Sequence, residues 1–445
     1  MERPANAICS VGAGAGFAGD RIDPALDLVR SGLIDTIALE CLAERTLVPA
    51  IKARADNPRA GFDPRWKRRL GPLLPLAAQY GCRVVSNLGA ANPLAAAHAI
   101  SGLCQALRLP PQKVAALVGD DVMGLQDRIQ WAKPWQGQLI GAHAYLGSER
   151  MAQALAQGAQ VVVTGRVADS ALFAAPARSG LQASPHALAG ALTVGHLLEC
   201  GGQLTGGNYE PIGGADKPPP LSAEQYARLG YPLAHVYADG TADILVAPGA
   251  PGLVDALTCT LQLLYEVHDP AHYITPDLIV DFSNIQFEVT GPQSVRMHGA
   301  RGKGVPPMLK VAGFVEQPGV LADVEIGFAG EGAVARARCA ADVLRLRLDA
   351  LPAHACQIDW VGLDSVLRGC ARQSASPPAE LRVHISAACD DAATAQWVED
   401  EVYALTLSGP AGGCSVRSEK RPRLAVVDGL IDRQSVPTEL VWGQA

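Results

Sequence analysis

The first half of the chain repeats one pattern: a short apolar run, a Gly-rich or polar loop, and then, most often, a helical segment. Four of the apolar runs are "NAICSV" (6–11), "CRVVSN" (82–87), "KVAALVG" (113–119) and "AQVVVTG" (159–165). Continuous apolar runs rich in Val are typical of strands covered on both faces, and their alternation with helices predicts a parallel α/β sheet. Ligands bind beyond the carboxyl ends of such strands, so we expect the loops to share one crevice.

The second half follows a different pattern, in which strands joined by turns precede longer helices. "SNIQFEVTGPQSVRMHGARG" indicates strands, and "GAVARARCAADVLRLRLDAL" indicates a helix with an apolar face. A chain of 445 residues with 49% hydrophobic content can build two cores. We therefore predict an α/β domain over 1–285, with a mostly parallel, doubly wound sheet flanked by helices and carrying the crevice. A smaller α+β domain over 286–445 is expected to follow it.

Charge and cysteine usage exclude several classes of partner. The net charge is -7 and no long Lys/Arg run occurs, which excludes nucleic acid as a partner. No apolar stretch approaches the roughly 18 residues that a membrane span needs. The N-terminus lacks the pattern of a signal peptide, and the eleven cysteines are scattered without a C-x-x-C. These features predict a cytoplasmic protein with reduced thiols.

A Gly-rich loop follows the first apolar run and matches the dinucleotide-binding fingerprint G-x-G-x-x-G. In that fingerprint the third glycine lies inside the helix, but here "DRID" separates Gly19 from Pro24, where the helix is expected to begin. We therefore expect no bound nicotinamide or flavin, and a loop whose backbone approaches a ligand closely. Its expected contacts are Gly14, Gly16, Phe17, Gly19 and Asp20.

Three polar side chains follow predicted strands and are the candidate catalytic groups. Glu40 is suited to general acid or base catalysis, with Glu44 one helical turn away if the segment is helical. Asn87 could donate to a substrate carbonyl or only fix its own loop. Arg166 suits a carboxylate, phosphate or thioester oxygen, or else a structural ion pair. Asp169, also a catalytic candidate, or the neighbouring Ser170 is expected to cap the next helix.

Further binding candidates lie in three other motifs. Two glycine pairs in "ECGGQLTGGNYE" indicate backbone close to a ligand. Arg301 in "GARGKG" could bind CoA phosphates or lie in a solvated turn. We predict no metal site, although Asp20, Asp23 and Glu40 could hold Mg²⁺. The remaining predicted contacts are Gly89, Thr164, Gly165, Ser170, Thr205, Gly206, Gly207 and Asn208.

Several long motifs resemble the acyclic terpene utilisation AtuA family over nearly the whole chain. They include "GFAGDRIDPALDLVRSGLIDTIALECLAERTL", "VVSNLGAANP", "VVVTGRVADSAL" and "LSGPAGG". The resemblance implies a place in the catabolism of branched terpenoid acids as CoA thioesters. Some members of that family carry an additional small ferredoxin-like C-terminal domain, which this chain is expected to lack. A separately encoded small subunit of that fold is therefore an expected partner.

The crevice is expected to offer acids and amides without a nucleophile elbow or a metal cage. We therefore predict an enzyme of branched organic-acid or acyl-CoA catabolism, first an acid/base lyase (hydratase or dehydratase) acting on an acyl-CoA thioester. Glu40 would move the proton, while Asn87 and Arg166 would hold the enolate-like oxygen. The alternatives are an acyl-CoA hydrolase or acyl transferase using Ser170 or Cys200, or a non-catalytic subunit that needs its partner. We expect a small-molecule acyl substrate, no bound cofactor and a homo-oligomer.

Overall fold

Helices and strands alternate through most of the chain in the computed structural model, which describes residues 3–209, 219–349, 353–370 and 377–443. The α-helices are α1 (Asp23–Arg30), α2 (Glu44–Asp56), α3 (Trp66–Tyr80), α4 (Pro93–Ala106), α5 (Glu149–Ala156), α6 (Asp169–Ala174), α7 (Pro185–Leu198), α8 (Ala223–Ala227), α9 (Ala256–Leu264), α10 (Ala333–Leu348) and α11 (Ala392–Ser408).

Strands of the first three hundred residues are β1 (Cys9–Ala15), β2 (Thr36–Leu39), β3 (Arg83–Ser86), β4 (Val114–Val118), β5 (Gln130–Trp131), β6 (Gln138–Ala144), β7 (Val161–Thr164), β8 (Pro232–Val236), β9 (Ala242–Val246), β10 (Tyr273–Ile274), β11 (Ile279–Asp281), β12 (Gln286–Gly291) and β13 (Ser294–His298). The later strands are β14 (Arg301–Gly302), β15 (Met308–Ala329), β16 (Ala353–Val361), β17 (Glu380–Cys389), β18 (Cys414–Asp432) and β19 (Glu439–Trp442).

Five parallel strands form the part of the large sheet that carries the predicted crevice. They lie in the order β1-β2-β3-β7-β4, and each pair of neighbours is parallel. Every residue of β1, β2 and β7 is buried, as expected for strands covered on both faces. Helix α1 packs on β1, and α4 packs on β4. The carboxyl ends of these strands therefore lie along one edge of the sheet.

The whole sheet is mixed rather than mostly parallel. In the described residues it has ten strands in the order β12-β13-β9-β8-β1-β2-β3-β7-β4-β19. Strands β8, β9, β13 and β12 continue it antiparallel from β1, and β19 closes the other side antiparallel to β4. These outer strands are joined by turns or come from the chain's last residues, so the strand–helix pattern did not reveal them. The doubly wound arrangement stays a prediction.

The chain divides into two compact units. One comprises residues 1–133, 141–313 and 428–445, and the other residues 134–140 and 314–427. The domain boundary predicted at 285 lies between β11 and β12. Strands β12 and β13 pair within the large sheet of the first unit. Within the described residues, no helix is both long and apolar enough to cross a membrane.

The second unit has its own core. Its chain order, β15-α10-β16-β17-α11-β18, and its sheet order, β16-β17-β15-β18, follow the β-α-β-β-α-β pattern of ferredoxin-like folds. Strand β17 is antiparallel to both β15 and β16. Its alternating burial places Leu381, Val383 and Ile385 on one face, against buried residues of α10 and α11. A ferredoxin-like arrangement is therefore present within this chain, although the sequence analysis expected one only in a separate partner.

Candidate active site

A cavity of about 680 Å³ opens at the carboxyl-terminal edge of the parallel strands, within the first unit. This volume is in the range of small-molecule sites. Glu40 follows β2 directly, and Arg166 lies two residues beyond β7. The predicted residues that line the cavity are Gly16, Phe17, Asp20, Glu40, Arg166, Asp169, Gly207 and Asn208.

Glu40 is a buried carboxyl group held from one side only. Its Oε1 accepts hydrogen bonds from Asn87 Nδ2 at 2.9 Å and from the Leu42 backbone N–H at 2.8 Å. Among the described residues no hydrogen bond reaches Oε2, and this atom is not enclosed by protein. Glu40 is 7% exposed, and burial, together with the negative charge of Asp169, raises its pKa to about 8. Burial therefore favours the protonated, neutral form of Glu40.

Asn87 supports Glu40 and does not line this cavity. Its Nδ2 donates to Glu40, while its Oδ1 accepts from the Cys41 backbone N–H at 2.7 Å. The side chain is fully buried. Of the two readings of the sequence, donation to a substrate carbonyl and attachment of its own loop, this geometry matches the second. Asn87 is a positioning residue.

Arg166 is buried, and its guanidinium is engaged on three sides. Nη1 donates to the Leu42 carbonyl, Nη2 donates to Asp169 Oδ1 at 2.7 Å, and the group lies 4.3 Å above the centre of the Tyr145 ring. Within the described part of the chain, Nε is buried without a hydrogen-bond partner. Burial lowers the pKa of Arg166, but the charges of Asp169, Tyr145 and Glu40 outweigh it and raise the pKa. Arg166 is a fixed positive charge.

Asp169 begins α6 and faces the cavity. It forms no cap of that helix, contrary to one expectation, because its carboxylate is bound by Arg166. About 35% of its side chain is exposed, and the residue lines the cavity. Burial of the carboxylate raises the pKa of Asp169, Arg166 opposes this effect, and the negative charge of Glu199 adds to it. Glu40 and Asp169 are thus two interacting carboxyl groups with raised pKa values.

Tyr145 was not identified from the sequence, but it links several groups of the site. Its hydroxyl donates to Glu44, and its ring lies beneath Arg166, with Lys310 Nζ 5.1 Å from its centre. Burial raises the pKa of Glu44, yet the Tyr145 hydrogen bond and Arg166 bring it below the usual value. Glu44 begins α2, so residues 40–43 are not helical, although Glu40 and Glu44 both line the cavity. The sequence did contain one signal for this residue, because Tyr145 ends the apolar run "LIGAHAY".

The Gly-rich loop after β1 is held by its own chain. Asp20 Oδ2 accepts from the Gly16 backbone N–H at 2.9 Å, and Asp20 Oδ1 accepts from the Tyr231 hydroxyl. A Cβ atom at Gly16 would lie 2.6 Å from the Cys200 carbonyl oxygen. Helix α1 begins at Asp23, as the sequence predicted, so Gly19 lies outside it. Gly16 is therefore explained by its contact with residue 200.

The other predicted glycines also pack against protein. A Cβ atom at Gly14 would lie 2.8 Å from Leu39, and one at Gly89 would lie 2.5 Å from the Thr164 carbonyl oxygen. Close approaches within the chain occur in the same way at Gly19 to Phe17, at Gly165 to Asp120, at Gly206 to Leu253 and at Gly207 to Gly202. Of these glycines only Gly207 lines the cavity, as Gly16 does, and the expected close approach of their backbone to a ligand stays a prediction.

Several predicted polar contacts lie outside the cavity wall. Thr164 and Thr205 are fully buried and donate to backbone carbonyls, and Ser170 is fully buried in α6. Arg301 is exposed on β14, where its backbone lies opposite Asp281 of the neighbouring strand β11. Asn208 does line the cavity, as expected.

Residues from distant segments complete the wall and were missed by the sequence analysis. Except for Arg21 and Arg45, which follow β1 and β2 at a distance of six residues, none of them follows a parallel strand, which was the signal used to select candidates. They are Arg21, Arg45, Tyr145, Glu199, Gln203, Leu229, Tyr231, Tyr265, Glu266 and Lys310. With the predicted residues included, the described cavity wall carries four cationic side chains and six carboxyl groups. No group of three or more His, Cys, Asp or Glu residues in the described chain has the arrangement of a metal site.

Comparison with known families gives one match. The model of the acyclic terpene utilisation family protein AtuA matches residues 9–442, which is nearly the whole chain. No curated protein with significant similarity to the chain was found.

Proposed function

The chain belongs to the acyclic terpene utilisation family AtuA, and on this basis we propose that it is an acid/base lyase that adds water to, or removes it from, a branched acyl-CoA thioester. The observation that carries the proposal is the buried carboxyl of Glu40, whose pKa burial raises, in the same cavity as a second carboxyl, Asp169, that Arg166 binds. Paired carboxyl groups with different environments are suited to separate acid and base roles.

In the direction of dehydration, Asp169 takes the proton from the carbon next to the thioester carbonyl. The electron pair forms the carbon–carbon double bond, and the bond from the next carbon to its hydroxyl oxygen breaks. Glu40 Oε2 gives its proton to that oxygen, so that water leaves. Lys310 lines the same cavity and supplies the positive charge for the developing thioester enolate. This replaces the earlier assignment of the oxygen to Asn87 and Arg166, because Asn87 does not line the cavity and both terminal nitrogens of Arg166 already donate hydrogen bonds to protein.

A nucleophilic hydrolase or transferase has less support from this geometry. Cys200 lines the cavity, but burial raises its pKa to about 12, so it is a thiol at neutral pH. Ser170, the other candidate, is fully buried and does not line the cavity.

The test is turnover of branched 3-hydroxyacyl-CoA and enoyl-CoA, with transfer of deuterium from solvent to the acyl chain as a second readout. Glu40→Gln and Asp169→Asn should each lower kcat by about 100-fold or more. The kcat/KM of the wild type should fall as pH rises through about 8, because Glu40 then loses the proton it must donate. This alkaline limb should be absent in Glu40→Gln.

Asp27→Asn is the matched control, because Asp27 and Arg30 form an exposed ion pair with the same three-residue spacing as Arg166 and Asp169. It should leave turnover unchanged. A purified wild-type chain that binds these thioesters but neither dehydrates nor hydrates them would refute the lyase proposal and favour a partner-dependent subunit. Accumulation of a covalent acyl adduct would favour a hydrolase or transferase.

A further inference from the structure

A second cavity, of about 620 Å³, lies in the first unit next to the candidate active site. We propose that it holds the apolar end of the acyl chain whose reacting carbons lie at Glu40. This inference rests on the proposed function and adds the place where the hydrocarbon tail of the thioester binds.

The wall of this cavity is mostly hydrocarbon. Its apolar surface includes Leu42, Ala50, Ala53, Phe62, Trp66 and Leu88. Phe62 and Trp66 pack edge to face with ring centres 5.9 Å apart, and the alanines leave room that larger side chains would fill. Moving one methylene group from water into such a site strengthens binding by about fourfold. A cavity of this size and lining therefore discriminates strongly by chain length.

The two cavities are adjacent through the segment after β2. Leu42 and Arg45 line both of them. Asn87 lines the second cavity, while its partner Glu40, 2.9 Å away, lines the first. The proposed path of the acyl chain therefore leads from Glu40 past Leu42 into the apolar space.

The charged groups of the wall leave its apolar part free for a hydrocarbon. Asp63 is buried there, and its carboxylate is offset by Arg65 at 4.0 Å and Arg69 at 3.8 Å. The arginines of the wall are exposed residues, Arg45, Arg59 and Arg65, and lie at its solvent side. Leu42 and Leu88 are almost fully buried.

The experiment fills the cavity and measures binding by calorimetry, without relying on turnover. Ala53→Phe, and as a second variant Ala60→Phe, place a ring in the cavity. Ala55→Phe is the matched control, because Ala55 is exposed on the same helix α2 and lines neither cavity. The probes are a branched ten-carbon acyl-CoA, butyryl-CoA and CoA itself, and thermal unfolding checks that each variant folds.

We expect both filling variants to lose at least tenfold in affinity for the ten-carbon thioester, and to bind butyryl-CoA and CoA within twofold of the wild type. The control should match the wild type for all three. Equal loss for CoA would assign the cavity to the nucleotide and overturn the proposal. Unchanged affinity for the ten-carbon thioester, or a wild type that binds all three equally, would also overturn it.

The lyase proposal stands or falls separately. Length-dependent binding without any turnover would refute the lyase and leave the acyl cavity in place. Turnover without length-dependent binding would support the lyase and refute the assignment of the second cavity to the acyl chain.

Discussion

At the scale of single residues, the candidate site is centred on Glu40, a buried carboxyl group whose protonated form burial favours. Glu40 lies in the gap between β2 and α2, where Asn87 and Leu42 fix one of its oxygens. The sequence identified Glu40, Asn87 and Arg166 because each follows a parallel strand, and the structure brings them together. It could not identify Tyr145, Tyr231 or Lys310, because their approach depends on pairings between segments far apart in the chain.

The pH dependence of stability should report the proton on Glu40 directly. Its pKa in the folded chain, about 8, lies above the ordinary value of 4.5. The folded state therefore binds the proton more tightly, and this contribution to the free energy of unfolding is lost as pH rises from about 4.5 to 8. Glu40→Gln cannot ionise, so its stability relative to wild type should increase across this window. Chemical denaturation at pH 5 and pH 8.5 measures this difference, and an equal difference at both values would contradict it.

Arg166→Lys should damage the site although it keeps the charge. An ammonium group cannot bind the Leu42 carbonyl and Asp169 together while stacking on Tyr145. We expect kcat/KM to fall by about 100-fold, as for a displaced catalytic group. Arg30→Lys, in the exposed pair with Asp27, is the control and should have no effect. Steady-state kinetics with the thioester decides this, and a loss below threefold would argue against the role given to Arg166.

At the scale of elements, the glycine loop after β1 shows what sequence cannot distinguish. The pattern Gly14, Gly16, Gly19 predicted a close approach of backbone to a ligand, and this stays a prediction. The structure shows in addition that Gly16 lies against residue 200, a contact that local sequence does not encode. The start of α1 at Asp23 was predictable, because proline at the first turn is a local signal.

Gly16→Ala should therefore act on folding of the loop. Its Cβ atom would lie 2.6 Å from the Cys200 carbonyl oxygen, which forces the two segments apart. We expect a loss of about 1–3 kcal/mol in the free energy of unfolding. Gly71→Ala, within α3, is the control, because an added Cβ meets no atom within 4 Å and alanine favours helix. Urea denaturation measures both, and equal stability of the two variants would refute the packing explanation.

At the scale of the whole molecule, the chain has two hydrophobic cores, and the candidate site belongs to one of them. The sequence predicted a parallel α/β part correctly for β1, β2, β3, β7 and β4. It did not predict the antiparallel strands around them, because β8, β9, β12 and β13 join the sheet through non-local pairing. In the second unit, α10, β17 and α11 were predictable from periodicity, whereas β16 was not identified.

Leu344→Ala should separate the two cores experimentally. Leu344 is fully buried in the core of the second unit, so its truncation should cost about 2–5 kcal/mol. Leu346, 80% exposed on the same helix, gives the control Leu346→Ala. Because the cavity is lined by first-unit residues alone, affinity for acyl-CoA below the unfolding transition should be unchanged in both variants. Calorimetric binding beside denaturation tests this, and a weakened ligand affinity in Leu344→Ala would show that the cores are coupled.

The peptide segment at Leu42 gives the site one more property. Its N–H holds Glu40, its carbonyl holds Arg166, and its residue lies on the wall shared by both cavities. A hydrocarbon tail in contact with Leu42 would thus change the pKa of the neighbouring Glu40. In that case the binding of the hydrocarbon tail would be coupled to the acidity of Glu40 without a moving lid.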